Sequence, residues 1–190
     1  ALDTSLILKQ AGIDEGRFDD PTGLLSALEF FYLISAVTSQ VGEPTLGFEI
    51  GTQHSITAHG SLGYALMCCS TLQQAIGLLL RFWILRGRGV QPFLHASTTA
   101  EQPEARTIVR FEPEPLMPPD IRQVILQSVL SSCYRGLRLL IGDEASRIEL
   151  WFQENEPAHF AGFAAHLPHV RFGMTDNRII VPGDLVTQPL

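Results

Sequence analysis

Lysine is nearly missing from this sequence. Lys9 is the single one in 190 residues, and arginine provides the other twelve basic side chains against 20 acidic ones. The balance is a net charge of −7. Proteins that grip nucleic acid usually present a basic face, because phosphate contacts supply most of their affinity. No basic cluster stands out beyond Arg86 and Arg88, which argues against direct DNA contact by this stretch. Arg86-Gly87-Arg88-Gly89 is too short for an RNA-binding tract and reads as a polar helix-to-strand turn. Cysteine is scarce as well. Cys68, Cys69 and Cys133 are odd in number, and the first two are adjacent, a spacing that strains a disulfide. Cys68 and Cys69 sit in an apolar run that suits buried thiols, and a reducing cytoplasm is the simplest setting. No apolar run approaches the roughly 20 residues of a membrane span. Ala1-Leu2-Asp3-Thr4 lacks the basic start and apolar core of a signal peptide.

Chemical signatures are missing too. There is no Gly-x-Ser-x-Gly elbow and no phosphate-cradling loop of the P-loop or dinucleotide type, so no catalytic residue is assigned and the chain is not read as an enzyme. Neither Cys-x-x-Cys nor His-Glu-x-x-His occurs among the six histidines. His54 and His59 are five apart, on different faces if they share a helix. Pro168 interrupts any element shared by His159, His166 and His169. No metal or cofactor is therefore expected. A haem sensor needs only one axial histidine. A haem or thiol sensor using Cys68-Cys69 thus stands as one alternative, and an enzyme of unknown class as another.

What is present is enough apolar residue, 45 %, to build a core over the whole length. The first half reads helical. Leu2 to Gln10 is a short amphipathic segment before Gly12. Asp20-Pro21 looks like an N-cap and first helical proline ahead of a helix over Gly23 to Val41. Pro44 opens a shorter helix that Gly51 closes, and Leu62 to Cys69 is a small apolar helix or turn. Ser70-Thr71-Leu72-Gln73 forms a capping box for the clearest helix, whose Leu72, Ala75, Ile76, Leu79, Leu80 and Trp83 keep helical spacing. The second half alternates. Val90–Thr98 and Ala105–Glu112 read as a hairpin around Ala100–Glu104. Pro118-Pro119-Asp120 opens a long helix that Gly142 ends. Ile148 to Phe152 is a half-buried strand. Pro157 to Leu167 reads as a helix with Phe160, Phe163, Ala164 and Leu167 inward. His169–Phe172 and Arg178–Val181 are short strands, and Pro182-Gly183 breaks the pattern. The predicted architecture is α+β: a helical N-terminal half, about 1–86, packed on a small antiparallel sheet with covering helices, about 87–190.

One neighbourhood suggests ligand binding. Arg81, Trp83 and Arg86 flank the end of the capped helix, and Arg110 lies on the facing hairpin. Arginine forks grip carboxylates and tryptophan supplies a flat wall, so an acidic small molecule fits. Alternatively, Trp83 is core and the arginines are solvated at a helix C-terminus, where the dipole favours cations. Tyr64 joins the candidate set. Glu49 joins it as the anchor of a competing acidic pocket for a cationic amino acid.

Three segments carry a family resemblance: Leu46-Gly47-Phe48-Glu49-Ile50-Gly51; Gly60-Ser61-Leu62-Gly63-Tyr64-Ala65 followed by Ser70 to Ala75 and Arg81-Phe82; and Val170-Arg171-Phe172 followed by Asn177 to Val181 and Leu185 to Leu190. In this order they resemble the arabinose-binding-type regulatory domain at the N-terminus of AraC/XylS-type transcription regulators, with the ornithine- and arginine-utilisation regulators nearest. The resemblance implies one ligand-sensing domain over 1–190 that binds a small-molecule effector, pairs with itself as a homodimer and controls DNA through a C-terminal helix-turn-helix part absent from this sequence. The helix from Asp120 to Ile141 is unusually apolar, so it is either buried on two sides or shared with the partner copy.

Overall fold

In the computed structural model, residues 3–18, 20, 23–42, 45–86, 89–96 and 106–190 are described, except for the side chains of Phe18, Arg86 and Asp120. Helix α1 (Thr4–Ala11) is capped by the Asp3 side chain and packs on α2 (Ala27–Val41). The N-cap of α2 is Ser26, not Asp20. Its hydroxyl accepts from Glu29 N, and the Glu29 carboxylate accepts from Ser26 N at 2.7 Å. Hydrogen bonds to the carboxylate from the Ser26 backbone N–H and the Ser26 hydroxyl, then Arg17, hold the Glu29 carboxyl at about 2. Pro21 and Pro44 lie outside the described residues.

Helix α3 (Leu46–Gln53) runs through Gly51 instead of stopping there, because both of its glycines serve packing. A Cβ on Gly47 would stand 2.5 Å from Gln127 Cβ. A Cβ on Gly51 would stand 2.6 Å from both Ser128 O and Ser131 Cβ. Gln127, Ser128 and Ser131 belong to α6 (Pro119–Ile141), so α3 and α6 cross almost backbone to backbone. This is the most extensive contact between elements of the described residues. The crossing places Phe48, fully buried, among Phe152, Phe160, Phe163 and Phe172, with ring centroids 5.0–6.2 Å away.

Helix α4 (Gly60–Met67) follows a 3-10 turn at Ile56–His59. Helix α5 (Leu72–Arg81) is capped one residue later than the sequence suggested. Thr71 accepts from Gln74 N, while the Gln74 side chain accepts from Ser70 N at 3.0 Å. An antiparallel bridge between Thr71 and Pro189 holds Thr71 extended and fixes that register. Trp83 belongs to a 3-10 turn after α5.

The sheet has the order β1-β2-β5-β3-β4, with β1 Val90–Ala96, β2 Arg106–Pro113, β3 Glu149–Trp151, β4 Val170–Arg171 and β5 Asn177–Pro182. It is mixed and not purely antiparallel, because β3 and β4 pair in parallel. The predicted turn Ala100–Glu104 lies outside the described residues. Pro157–Leu167 contains only a 3-10 turn at Phe160–Phe163, and Ala164 faces solvent. Pro182-Gly183 does break β5, but it also opens α7 (Gly183–Thr187), which buries Leu185 and Val186.

Helix α6 is the shared wall of the two halves. Ile121 and Leu130 are fully buried in a core that runs from α3, α4 and α5 into β2, β3 and β5. Gln127 and Ser131 are equally buried on the α3 side. Internal packing accounts for Ile121, Val124, Ile125, Leu126 and Leu130, which are buried, whereas Leu139 near the end of the helix is exposed. By length and composition alone Ile121–Arg147 could cross a membrane, yet half of its apolar stretch is inside the fold. The fold class is α+β.

Two glycines give opposite expectations. Gly47→Ala should destabilise the protein by about 1–3 kcal/mol, since it forces apart helices that cannot separate without disturbing the core. Gly77, an exposed position of α5 with nothing within 4 Å of its missing Cβ, should stabilise by roughly 0.5–1 kcal/mol when changed to Ala. Urea denaturation of both variants checks the pair. Equal stability of Gly47→Ala and the parent protein would refute the crossing as a tight constraint.

Candidate ligand-binding site

The last turns of α6 carry Tyr134, Arg135, Arg138 and Leu139 on one side, at helical steps of one and four. Across from them stand Thr52 and Ser55, at the end of α3, with Ile56 and His166. Together these eight residues line a groove of about 510 Å³. Arg135 donates from Nη1 to the carbonyl of Thr52, one of the terminal acceptors of α3. The Thr52 hydroxyl donates back to Phe48 O at 2.7 Å. No carboxylate of the described residues pairs with Arg135 or Arg138, and none lines the groove. Tyr134 is buried, and burial pushes its hydroxyl above the usual phenol range despite the opposing pull of Arg138. It therefore remains a neutral donor. In a chain of net charge −7, this is a concave patch of positive charge with no carboxylate in its lining, bordered by the buried Ile56 and the exposed Leu139. Such a set can fork onto a carboxylate and stack a short carbon skeleton.

Behind α6 lies a second cavity of about 50 Å³, walled by Ala75, Ile76 and Leu79 of α5, Val109 and Phe111 of β2, and Leu137 of α6. Its polar contributors are His59, Ser132 and Cys133.

The six residues singled out from sequence do not gather at one place. Trp83 is buried. Its ring meets Phe111 edge-on at 5.7 Å, and its Nε1 donates to Val90 O at 2.6 Å, so it fastens the start of β1. Arg81 is exposed at the end of α5, over the Phe82 ring at 5.5 Å. The Arg86 side chain and all of Arg88 lie outside the described residues. Arg110 pairs with Glu112 and, by strand alternation, points away from the face on which Val109 and Phe111 meet the helices. Tyr64 is 59 % exposed on α4, and Glu49 is exposed on α3. Sequence reading missed Arg135 and Arg138. Their one signal was two arginines three apart in the last turns of the apolar helix, a pattern that an ordinary solvated helix end shares. His54 and His59 also surprise. A 3-10 turn replaces the continuous helix, and the rings come within 6.2 Å.

One half-buried acid completes the picture. Glu154, in the loop after β3, accepts from Gln127 Nε2 at 2.9 Å. Desolvation raises its carboxyl from about 4.5 to about 7, against the opposing hydrogen bonds from Gln127 and Gln123. Gln127 is the residue on which Gly47 packs, so Glu154 ties the loop after β3 to the α3–α6 crossing.

The family described as the arabinose-binding domain of AraC transcription regulators, N-terminal, matches residues 2–190. The chain belongs to this family. Among curated relatives, this AraC-type domain is 27 % identical to an ornithine utilization regulator of Pseudomonas aeruginosa, over 83 % of the chain and 46 % of the relative. It is 21 % identical to an uncharacterised HTH-type transcriptional regulator of Mycobacterium tuberculosis, over 98 % of the chain and 54 % of the relative. The chain thus spans about half the length of the curated relatives it matches. The crystal structure of the transcriptional regulator CdpR from Pseudomonas aeruginosa shares the fold, with a TM-score of 0.64 at 14 % identity, over 100 % of this chain and 58 % of that one. The relatives are transcription regulators, not enzymes.

Glu154 generates a pH prediction. Below about 4.5 the folded and unfolded states both hold its proton, and the interaction is neutral with respect to pH. Between about 4.5 and about 7 the unfolded chain releases the proton while the fold retains it. Stability from this site therefore falls as pH rises through that window and levels off above it. Glu154→Gln keeps an uncharged amide in its place. The melting temperature of the variant minus that of the parent should climb from pH 4.5 to 7.5. A difference that stays flat across the range would show that Glu154 is not held protonated.

Proposed function

We propose that this chain is the effector-responsive part of an AraC-type transcription regulator, that its effector is a small carboxylate metabolite, and that the Arg135–Arg138 groove is where the carboxylate sits. The observation that carries the reading is the groove itself: two arginines with no carboxylate partner among the described residues, a neutral tyrosine and a histidine around a concavity of about 510 Å³ in an acidic chain. The groove also touches the scaffold, because Arg135 caps the end of α3. A carboxylate that competes for Arg135 perturbs the helix whose Phe48 anchors the core. The alternative anchors, Arg81, Arg86 and Arg110, belong to the same proposal as a second place for the acid. Arg110 is the weaker of them, being already paired with Glu112.

In this reading the effector changes how a helix-turn-helix part of the regulator engages DNA in the cytoplasm, and two copies act together on repeated half-sites. Closed two-fold pairing is the commonest oligomer. The acidic chain itself is not the DNA reader.

A thermal-shift screen of carboxylates, amino acids including ornithine, and neutral sugars tests the proposal, since a ligand of the native state raises the melting temperature. Carboxylates should shift the parent chain, and Arg138→Gln should weaken them at least tenfold with the fold intact. A shift by neutral sugars alone, or carboxylate binding indifferent to Arg138→Gln, would overturn the site. Sedimentation at micromolar concentration should show a dimer, and a monomer there would remove self-pairing from the account. This chain alone should show no sub-micromolar binding to duplex DNA in moderate salt.

A further inference from the structure

The groove at the end of α6 carries two arginine charges and no opposing one. Arg135 and Arg138 line it beside Thr52, Ser55, Tyr134 and His166. Among the described residues no carboxylate lines it or pairs with either arginine. Burial keeps the Tyr134 hydroxyl protonated, so it adds a donor and no charge. One carboxylate carries one charge. Even shared between both guanidiniums, it leaves half of the arginine charge of the groove unmatched.

The two arginines are three positions apart on one helix. Positions so spaced are neighbours on the helix surface, about 5–6 Å apart at their Cβ atoms. Arg135 is anchored, because its Nη1 donates to the carbonyl of Thr52. A guanidinium has five N–H donors, so one bond to Thr52 leaves an edge of Arg135 for a ligand. The anchor also settles an electrostatic conflict. Helices α3 and α6 both end beside the groove, and the carbonyl end of a helix disfavours anions. At Thr52 that carbonyl is covered by a cation, so an acid arriving there meets guanidinium before carbonyl. Arg138 is exposed and forms no ion pair with a described carboxylate. The groove thus offers an anchored cation beside an exposed one.

The lining also limits the ligand. An ammonium group finds no carboxylate in it. The volume of about 510 Å³ is more than a single compact anion fills. Ile56 and Leu139 flank the arginines and give a short carbon chain an apolar border.

We propose that the groove takes a short dicarboxylate without an ammonium group, one carboxylate on Arg135 and the other on Arg138. The proposal rests on the effector reading above and adds the ligand class. It places dicarboxylates ahead of monocarboxylates of equal length, which match one charge only. It also places them ahead of acidic amino acids, whose ammonium finds no partner.

Matched pairs test it: propionate with malonate, butyrate with succinate, and valerate with glutarate. Glutamate and inorganic sulfate stand beside them, all followed by ligand-dependent thermal shift near neutral pH at constant ionic strength. In the parent chain the dicarboxylate should bind at least about tenfold tighter than its partner, the gain from a second charged hydrogen-bonded contact. The advantage should be largest for succinate or glutarate, whose carboxyl groups reach two neighbouring guanidiniums. Arg138→Gln should bring the members of each pair to similar affinity. Leu139 lines the groove and is 60 % exposed, so Leu139→Glu adds a carboxylate there without disturbing the core. It should cut the dicarboxylate advantage and raise glutamate relative to glutarate. That gain of glutamate binding is a change no folding defect produces. If monocarboxylates bind through Arg138 but dicarboxylates bind no tighter, this inference is wrong and the effector reading stands. Sulfate or glutamate binding as tightly as glutarate in the parent chain would also overturn it. If no carboxylate binds at all, both fall.

Discussion

Two helices meet in this protein where neither has a side chain to spare. Gly47 and Gly51, one turn apart on α3, let its backbone rest on Gln127, Ser128 and Ser131 of α6. Much of the remaining structure follows from that approach. It drives Phe48 into the ring of phenylalanines contributed by the second half of the chain. It delivers the Thr52 carbonyl to Arg135. It also holds Gln127 where its amide reaches Glu154. Close-packed interiors transmit such displacements because they have little free volume to absorb them. A displacement at the end of α3 therefore reaches the joint between the two halves.

Charge is distributed with the same economy. Across the outer side of the sheet and its flank the arginines are matched: Arg110 with Glu112, Arg178 with Asp176, Arg147 with Glu144 and Asp184, and Arg106 and Arg171 with Glu149. Arg178 also lies 4.6 Å above the Trp151 ring. Apart from the mostly buried Arg178–Asp176 pair, these exposed pairs contribute little stability individually, but they cancel the positive field on that face. Arg135 and Arg138 stand outside that pattern, and they do so in a concavity. This distinguishes the groove from the other arginine-bearing surfaces more firmly than its size does.

Much of the fold was legible from the chain. The long helix between Pro119 and Gly142, the capped helix after Thr71, the hairpin strands and the α+β class all follow from periodicity, proline and glycine punctuation and short capping signals. The differences have separate causes. Ser26-x-x-Glu29, a capping box contained in the local sequence, starts α2 in place of Asp20-Pro21. The register at Thr71 depends on Pro189, distant in sequence. Gly51 looked like a helix stop because a glycine that ends a helix and a glycine that admits another helix are written identically.

The sequence by itself determined the acidic balance, the near absence of lysine, the family resemblance and the placement of apolar stripes, because these are local or compositional properties. Tertiary structure alone decided which arginines share a concavity. Arg81, Arg86 and Arg110 are near one another in pattern, yet strand alternation turns Arg110 to the far side of the sheet and its neighbour Glu112 satisfies it. Arg135 and Arg138 share a groove with Thr52, Ser55, Ile56 and His166, and Thr52 lies 83 positions from Arg135 along the chain. A cavity is a relation between distant segments, and no window of sequence contains it.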